Sequence, residues 1–283
     1  MWVLIGYGII IFSVFGGYAM AGGHLAALFQ PFELLIIGGA AVGAFVVSNG
    51  VKVSKHTMHE LPKLLKPSVY TKELNMEVLS LLYDLQVKAR REGLITLEKD
   101  ADKPESSPTF QKYPLVMAAP GLVEFLTDYL RLIVSGSMET MELEQLMDEE
   151  IDTHKEAAEI PANAITKMGD SLPGFGIVAA VMGVVHTMES MGKPPEELGL
   201  LIAGALVGTF LGILLAYGFV APIASLMEHR VQESTKLLQC VKVSLLTFLN
   251  GYPPAVAIEF GRKVLFAEDR PTAGELEKHV KGK

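Results

Sequence analysis

The chain has 283 residues, of which half are apolar, and a mean hydropathy of +0.35. Its 32 acidic and 24 basic residues give a formal net charge of -8, which argues against a nucleic-acid-binding protein. The apolar residues are concentrated in long blocks, a distribution typical of polytopic membrane proteins. Cys240 is the single cysteine, so an intramolecular disulfide is excluded, which fits a protein that faces the reducing cytoplasm.

Four apolar runs approach the ~20 residues that a helix needs to cross a bilayer. They predict an all-α polytopic membrane protein with two spans in residues 1–50 (about 2–20 and 32–50) and two in residues 171–222 (about 172–190 and 199–222). Residues 51–170 form a predicted cytoplasmic helical domain, and residues 223–283 form predicted cytoplasmic helices and a tail. Apart from Lys193, every lysine and arginine falls in these two polar regions, so the positive-inside rule places them and both termini in the cytoplasm.

The first polar region contains a predicted amphipathic helix, because apolar residues recur at helical spacing over residues 74–89. Gly93 is placed to end this helix. Basic residues lie at its carboxyl end, where the helix dipole favours them: Lys88, Arg90 and Arg91. Taken alone, this cluster indicates a solvated helix end. Near the carboxyl terminus, we expect Ala267–Lys283 to be a mobile polar tail.

Small residues recur in the spans at the spacing of one helical face. On the third span the face reads Pro173, Gly176, Ala180, Gly183 and Thr187; the fourth span has Gly204, Gly208 and Gly212, and the second has Gly39 and Gly43. Such faces let two helix backbones approach closely. The pattern leaves two interpretations of about equal weight. The face packs within this chain, or it lines a path beside a helix of a partner.

Polar groups are rare inside the spans. Thr209 and Tyr217 lie in the fourth, and a threonine in a membrane helix more often bonds to its own backbone than to a hydrated ion. Pro173 and Pro222 flank the hairpin of spans three and four, more often as helix ends than as moving parts. No span carries a carboxylate at mid-membrane, although an ion path through hydrocarbon usually needs an ionisable relay. If the protein handles protons, the titrating group must therefore come from another chain.

Catalytic and cofactor motifs are not supported by the sequence. Gly174–Ala179 matches the dinucleotide pattern G-x-G-x-x-A, but it follows a proline inside a membrane run and lacks the strand that the pattern requires. P-loop, zinc-protease and serine-hydrolase motifs do not occur. His56 and His59 lack further metal ligands nearby. We therefore expect neither an enzyme nor a bound metal or cofactor.

Two stretches carry a resemblance to a known family. The first is Asp148–Pro222: from the preceding Met147 to Ser190 the chain reads MDEEIDTHKEAAEIPANAITKMGDSLPGFGIVAAVMGVVHTMES, and from Leu200 to Pro222 it reads LLIAGALVGTFLGILLAYGFVAP. The second is Ala89–Asp100, which reads ARREGLITLEKD. The chain resembles the bacterial flagellar motor stator A subunits (MotA) of the MotA/TolQ/ExbB superfamily. The resemblance implies a multi-pass protein of the bacterial inner membrane. It implies a homo-oligomer, expected to be a pentamer around a dimer of stator B subunits (MotB), that conducts ions and exerts torque on the rotor protein FliG.

The resemblance also implies roles for individual residues. The implied ion path beside an aspartate of the B subunit comprises Ala180 and Thr209, with Tyr217 as a further polar group. Sodium-type relatives tend to have a threonine where this chain has Ala180, so the expected ion is H+. Pro173 and Pro222 match the prolines that couple ion passage to movement. The implied rotor-contact residues are Arg90, Arg91, Glu98 and Glu150, and the adjacent arginines leave open which of them dominates.

Two other functions remain open from the sequence alone. One is a proton-driven energiser of outer-membrane transport, which the four spans disfavour. The other is a membrane scaffold without ion flux, in which the small-residue faces serve assembly only.

Overall fold

A computed structural model describes residues 2–281 of the chain. Within these residues there is no β-strand, and four helices are long and apolar enough to cross a membrane: Trp2–Met20, Leu25–Leu65, Thr140–Glu189 and Pro195–Leu249. The all-α polytopic prediction is therefore confirmed. We label the helices of nine or more residues α1 (Trp2–Met20), α2 (Pro31–Glu60), α3 (Lys72–Glu92), α4 (Pro120–Ser135), α5 (Thr140–Glu189), α6 (Pro195–Leu249), α7 (Pro254–Val264) and α8 (Ala273–Lys281).

The chain divides into two compact units. One unit contains residues 2–67 together with Ala158–His229, and the other contains Ser68–Ala157 together with Arg230 and the residues that follow it. The division follows packing within the chain, whereas the predicted domain borders follow the membrane surface, so those borders stay a prediction.

The first unit contains the apolar spans and has a small interior. One buried cluster joins α2, α5 and α6 through Ile37, Ala41, Leu172, Ala179, Val207, Leu211 and Ala216. A second cluster joins α2 and the turn after it to α5 and α6. It contains Phe45, Leu64, Ala162, Ala164, Ile165, Ala224 and Met227. Many large apolar side chains point outward instead, as expected of helices whose outer faces contact lipid or other subunits.

Neither proline of the hairpin ends its helix, which corrects the expectation that they are helix ends. Pro173 lies inside α5, which begins at Thr140 and runs on to Glu189. Pro222 lies inside α6, just after a π-helical segment, Leu214–Val220. A proline removes a backbone hydrogen bond and crowds the preceding turn, and membrane helices absorb this defect through local adjustments such as π turns.

Helix α2 is sharply bent where the predicted second span ends. Gly50 has φ 62° and ψ -180° inside an otherwise helical segment. This conformation is reserved almost entirely for glycine. Asn49 donates a hydrogen bond from Nδ2 to the carbonyl of Phe45 at 2.8 Å, which satisfies a backbone group beside the break. The segment after Gly50 therefore leaves the direction of the span.

The second unit has a larger, continuous core. All five leucines of α3 belong to this core, together with residues of α4, the first turns of α5 and the last turns of α6. Its predicted end is confirmed, since Gly93 follows the helix with φ 91°. Thr71 accepts a hydrogen bond from the Leu74 amide at the other end of the helix.

The expected mobile tail is in fact docked on the second unit, at least through residue 281. Helix α8 buries Leu276, and Lys72 forms an ion pair with Glu275 at 2.8 Å. Thr272 and Glu275 exchange hydrogen bonds as a capping box. Before this helix, buried Arg262 donates to the carbonyl of Pro271 at 2.8 Å. The last two residues of the predicted tail, 282 and 283, lie outside the described residues.

Candidate ion path and rotor-facing surface

The backbones of α5 and α6 approach closely through glycine. A Cβ atom added at Gly176 would lie 2.9 Å from the carbonyl oxygen of Gly208 and 3.0 Å from the Cα atom of Gly212. A Cβ atom at Gly212 would lie 2.7 Å from the carbonyl oxygen of Leu172. Real Cβ atoms do not approach backbone this closely, so only glycine fits. For these residues, the interpretation that the small face packs within the chain is confirmed.

The same contact continues along the hairpin. A Cβ atom at Gly183 would lie 2.8 Å from the Cβ atom of Ala205, and one at Gly208 would lie 3.0 Å from the amide nitrogen of Ala180. The backbone of Ala180 thus faces α6, and the residue as a whole is half-buried. By contrast, Gly39 and Gly43 of α2 have no atom within 4 Å of an added Cβ atom. Their spacing matches that of the α6 glycines, but they make no close helix contact within this chain.

Thr209 differs from other threonines in the helix interiors. Thr187 donates to the carbonyl of Gly183 at 2.9 Å, and Thr166 donates to that of Ala162 at 3.1 Å, each one turn back along its own helix. Among the described residues, none accepts or donates a hydrogen bond with the half-buried Thr209 hydroxyl. The expected bond to its own helix is therefore not formed. A hydroxyl in hydrocarbon without a partner is costly, so it is suited to contact a polar group from outside this chain.

Tyr217 lies on the outer side of α6, with 69% of its surface exposed. It falls within the π-helical segment Leu214–Val220, which precedes Pro222. Pro222 is exposed as well. Among residues 2–281, no hydrogen bond joins Tyr217 to Thr209 or Ala180.

The acidic residue of the second apolar run lies near the start of its helix and not at mid-membrane, as the sequence predicts. Glu33, the one ionisable residue inside the second apolar run, lies in the first turn of α2. Its Oε2 atom is buried and has no hydrogen-bond partner among residues 2–281. The burial of this carboxylate depends on contacts between distant segments, which the sequence pattern does not show.

The basic cluster at the end of α3 separates into two kinds of residue. Lys88 turns inward and pairs with Asp100 at 2.7 Å, and Asp100 is only 3% exposed. Arg90 and Arg91 are exposed and make no hydrogen bond or ion pair within the described part of the chain. Glu98, on the short helix Glu98–Asp102, is equally free in residues 2–281. The predicted rotor-contact charges are thus open to a partner.

The segment that carries Glu98 is held by residues that the sequence did not single out. Ser107 donates to Asp100 Oδ1 at 2.5 Å, opposite Lys88. Arg131 of α4 donates to the carbonyl of Ala101 at 2.7 Å and to Asp102 at 3.2 Å. The sequence K-D-A-D at residues 99–102 does not show that Asp100 is buried, because the burial depends on contacts between distant segments.

Glu150 does not join these charges by any hydrogen bond or ion pair in the described residues. It accepts a hydrogen bond from the Tyr129 hydroxyl at 2.7 Å. Burial of the ring, and next the Glu150 carboxylate, raise the pKa of Tyr129 well above its ordinary value. Glu150 also lines a cavity of about 290 Å³ with His154 and Ser234. Its partner is therefore intramolecular.

Comparisons with known proteins agree with this architecture. The sequence profile of the motility protein A N-terminal region matches residues 4–93, and that of the MotA/TolQ/ExbB proton channel family matches residues 121–240. Motility protein A of Salmonella typhimurium is 55% identical over 281 residues, covering 99% of this chain and 95% of the relative. Motility protein A of Escherichia coli is 53% identical over the same shares of both chains.

Solved structures show the same fold. The MotAB structure from C. jejuni matches 95% of this chain and 98% of its own with a TM-score of 0.80, at 21% sequence identity. The flagellar MotAB stator complex of Bacillus subtilis matches 90% of this chain and 92% of its own with a TM-score of 0.71, at 25% identity. The relatives favour the stator hypothesis over the outer-membrane energiser and the scaffold. The chain belongs to the motility protein A family of flagellar stator subunits, within the MotA/TolQ/ExbB proton channel family.

Proposed function

We propose that this chain forms a stator with a B subunit in the bacterial inner membrane and couples proton flow to torque on the rotor. Both termini are cytoplasmic in this proposal, as the distribution of basic residues favours. The solved MotAB complexes support partnership with a B subunit. Assembly as a pentamer around a B dimer follows from the family resemblance. It is consistent with the apolar outer faces of the spans, which have room for neighbouring subunits.

The observation that carries the ion path is the combination of a free hydroxyl and a missing carboxylate. Thr209 has no partner among the described residues, and the apolar runs carry no acidic residue at mid-membrane. An aspartate of the B subunit supplies the titrating group in our proposal. When a proton neutralises it, the aspartic acid passes the apolar face of α5 and α6 at much lower cost than the charged form would. Release of the proton restores the charge and completes the cycle.

The choice of H+ over a metal ion rests on Ala180. A dehydrated metal ion needs several oxygen ligands, whereas a proton on a carboxylate needs none. At this position the chain offers a methyl group and no hydroxyl. Thr209 then serves to stabilise the partner carboxylate or its water. A lone hydroxyl suits this role better than coordination of a metal ion.

The torque surface comprises Arg90, Arg91 and Glu98, and its partner in our proposal is FliG. These side chains carry both signs of charge, are exposed, and have no internal partners in residues 2–281. Complementary charges steer docking and fix register without a large apolar interface. Glu150 is less suited to a direct rotor contact, because Tyr129 already donates to it. We propose that it acts by holding α5 against α4.

A threonine comparison tests the ion path. Thr209→Val removes the free hydroxyl, and Thr187→Val is the matched control because its hydroxyl is satisfied by its own helix. Proton leak is measured by cytoplasmic acidification in cells that co-express each variant with a B subunit lacking its plug. We expect Thr209→Val to reduce the leak several-fold, Thr209→Ser to restore most of it, and Thr187→Val to conduct like the parent. Equal conduction by both valine variants would exclude Thr209 from the path.

The ion and the rotor surface have separate tests. Swimming speed is recorded after collapse of the proton gradient and of the sodium gradient, and we expect loss only in the first case. Charge reversal at Arg90 and Glu98 should abolish swimming while leaving proton leak unchanged. Lys103→Glu, an exposed residue on the same unit, serves as the control. Normal swimming of the doubly reversed variant would contradict the proposed rotor contact.

A further inference from the structure

The segment that follows the bend at Gly50 is strongly basic in a chain that is acidic as a whole. Residues 51–66 contain four lysines and one glutamate, a formal charge of +3 with histidine neutral, against -8 for the complete chain. Two histidines, His56 and His59, lie among the lysines. Gly50 turns the helix out of the direction of the span directly before this segment.

One face of this segment packs on the first unit. Thr57 is fully buried and Leu64 is 6% exposed. Leu64 belongs to the buried cluster with Ala162, Ile165 and Met227, and the partly buried Val53 and Leu61 pack against the same cluster. This inner face fixes which side chains are turned outward, because the four inner residues recur at intervals of three or four.

The outward side carries two adjacent stripes. The first is basic and exposed throughout, and we call it the juxtamembrane basic face: Lys52, Lys55, His56, His59, Lys63 and Lys66. The second is apolar, with Val51 exposed by 66%, Met58 by 62% and Leu65 by 51%. Within the basic face, Lys63 also pairs with Glu60 at 2.7 Å. A basic stripe beside exposed apolar side chains is the pattern of a helix that lies at a membrane surface.

Continuity of the chain restricts what can cover this face. Lys52 is two residues from the end of the second apolar run, so its ammonium group is held at the depth of the lipid headgroups. Anionic headgroups there attract basic side chains, and the attraction falls off within a Debye length. Exposed apolar residues at the same depth are stabilised by contact with the boundary between headgroups and acyl chains.

We propose that the juxtamembrane basic face binds the phosphates of anionic bilayer lipids, while Val51, Met58 and Leu65 insert among the upper acyl chains. This inference rests on the proposed placement of the segment at the cytoplasmic membrane surface. The lipid contact would hold the bent part of α2 against the bilayer while other parts of the subunit move. It does not depend on the identity of the conducted ion or on the rotor contact.

The test compares lipid retention by variants of the purified A–B complex. The complex is exchanged into mixed micelles of detergent with phosphatidylcholine and phosphatidylglycerol, and the retained lipids are counted by native mass spectrometry. We expect the parent complex to prefer phosphatidylglycerol. The double variant Lys52→Gln/Lys55→Gln should reduce this preference about five-fold for each lysine removed at low salt, and the difference should shrink as salt is raised.

Two controls make the outcome decisive. Lys52→Arg/Lys55→Arg keeps the charge and should keep the preference. Lys99→Gln/Lys103→Gln removes two exposed lysines from the second unit and should leave it unchanged. An unaltered preference in the Lys52/Lys55 glutamine variant, or an equal loss in the Lys99/Lys103 variant, would overturn the proposal. Complete displacement of the lipid by equimolar glycerol phosphate would also overturn it, because a headgroup alone cannot use the apolar stripe.

The failure of this proposal is distinguishable from failure of the proposed function. Retention is measured without an ion gradient, and proton leak is measured in cells with the same variants. A complex that prefers phosphatidylglycerol but conducts no protons would support the lipid surface and contradict the channel assignment. A complex that conducts normally but whose lipid preference does not depend on Lys52 and Lys55 would support the channel assignment and contradict the lipid surface.

Discussion

Replacing single glycines with alanine tests the close contact between α5 and α6. Gly176 and Gly174 lie two residues apart on the same helix, yet only Gly176 faces α6. An added Cβ atom at Gly176 meets the carbonyl oxygen of Gly208 at 2.9 Å, whereas at Gly174 it meets no atom within 4 Å. The two variants therefore make the same chemical change in two different surroundings.

The expected magnitude comes from two opposing effects. Alanine is favoured over glycine in a helix by about 0.8–1.0 kcal/mol, and both variants gain this amount. At Gly176 the contacting atoms belong to the backbone of α6, so no side chain can rotate away, and overpacking of this kind costs about 1–3 kcal/mol. Since the helix-propensity gain cancels in the comparison, Gly176→Ala should be less stable than Gly174→Ala by about 1–3 kcal/mol. Gly212→Ala should behave like Gly176→Ala, because its added Cβ atom lies 2.7 Å from the carbonyl oxygen of Leu172.

Thermal unfolding of the detergent-purified complex measures this difference. Size-exclusion chromatography after heating gives the folded fraction at each temperature, and Gly43→Ala, another open position in a span, is a second control. We expect the melting temperature of Gly176→Ala to fall below that of Gly174→Ala by about 2–4 °C for each kcal/mol. Equal melting of the two variants would refute the close backbone contact.

Three further predictions concern the short helix Glu98–Asp102, the bend in α2 and the docked tail. Asp100→Asn removes the charge opposite Lys88 and leaves that ammonium half-paired, so we expect loss of about 1–3 kcal/mol of stability and reduced torque, measured by chemical denaturation and by tethered-cell rotation. Gly50→Ala forces a side chain into φ 62° with no steric contact, so backbone strain alone should cost about 1–3 kcal/mol, measured by thermal unfolding. The ion pair with Lys72 lowers the pKa of Glu275 to about 2 from 4.5. The stabilisation from this carboxylate is therefore complete above pH 4.5 and is lost as the pH falls towards 2. Hydrogen exchange of α8 should show this loss of protection, and Lys72→Met should move it to higher pH.

The sequence predicted those features that depend on local pattern. Four apolar blocks became four candidate spans, and the helix that Gly93 was predicted to end does end there. The docked tail was missed although its signal was present. Thr272 and Glu275 have capping-box spacing, and Leu276 follows as the apolar residue that becomes buried. Its polar composition outweighed this pattern in the prediction of a mobile tail.

Features that depend on a distant partner were not predictable from spacing. Gly39 with Gly43 and Gly208 with Gly212 have the same separation, but only the second pair meets another helix of the chain. Asp100 is one of many acidic residues in the sequence, and only the fold shows that it is buried against Lys88. A one-dimensional pattern gives the face of a helix, but it does not identify what lies opposite that face.

The two prolines of the hairpin are adjacent weak points in continuous helices. In an α-helix, Pro173 cannot donate to the carbonyl of Gly169 four residues earlier, so that turn lacks one of its hydrogen bonds. Gly169 lies against the turn that precedes Pro222, since an added Cβ atom there would be 3.2 Å from the Cγ1 atom of Val220. That second turn is itself π-helical and has its own altered hydrogen bonding. The two weakened turns therefore lie against each other, so that a distortion of one would alter the packing of the other. Because both helices continue past their prolines, such a distortion changes the direction of a rigid helix, whereas at a helix end a flexible loop would absorb it.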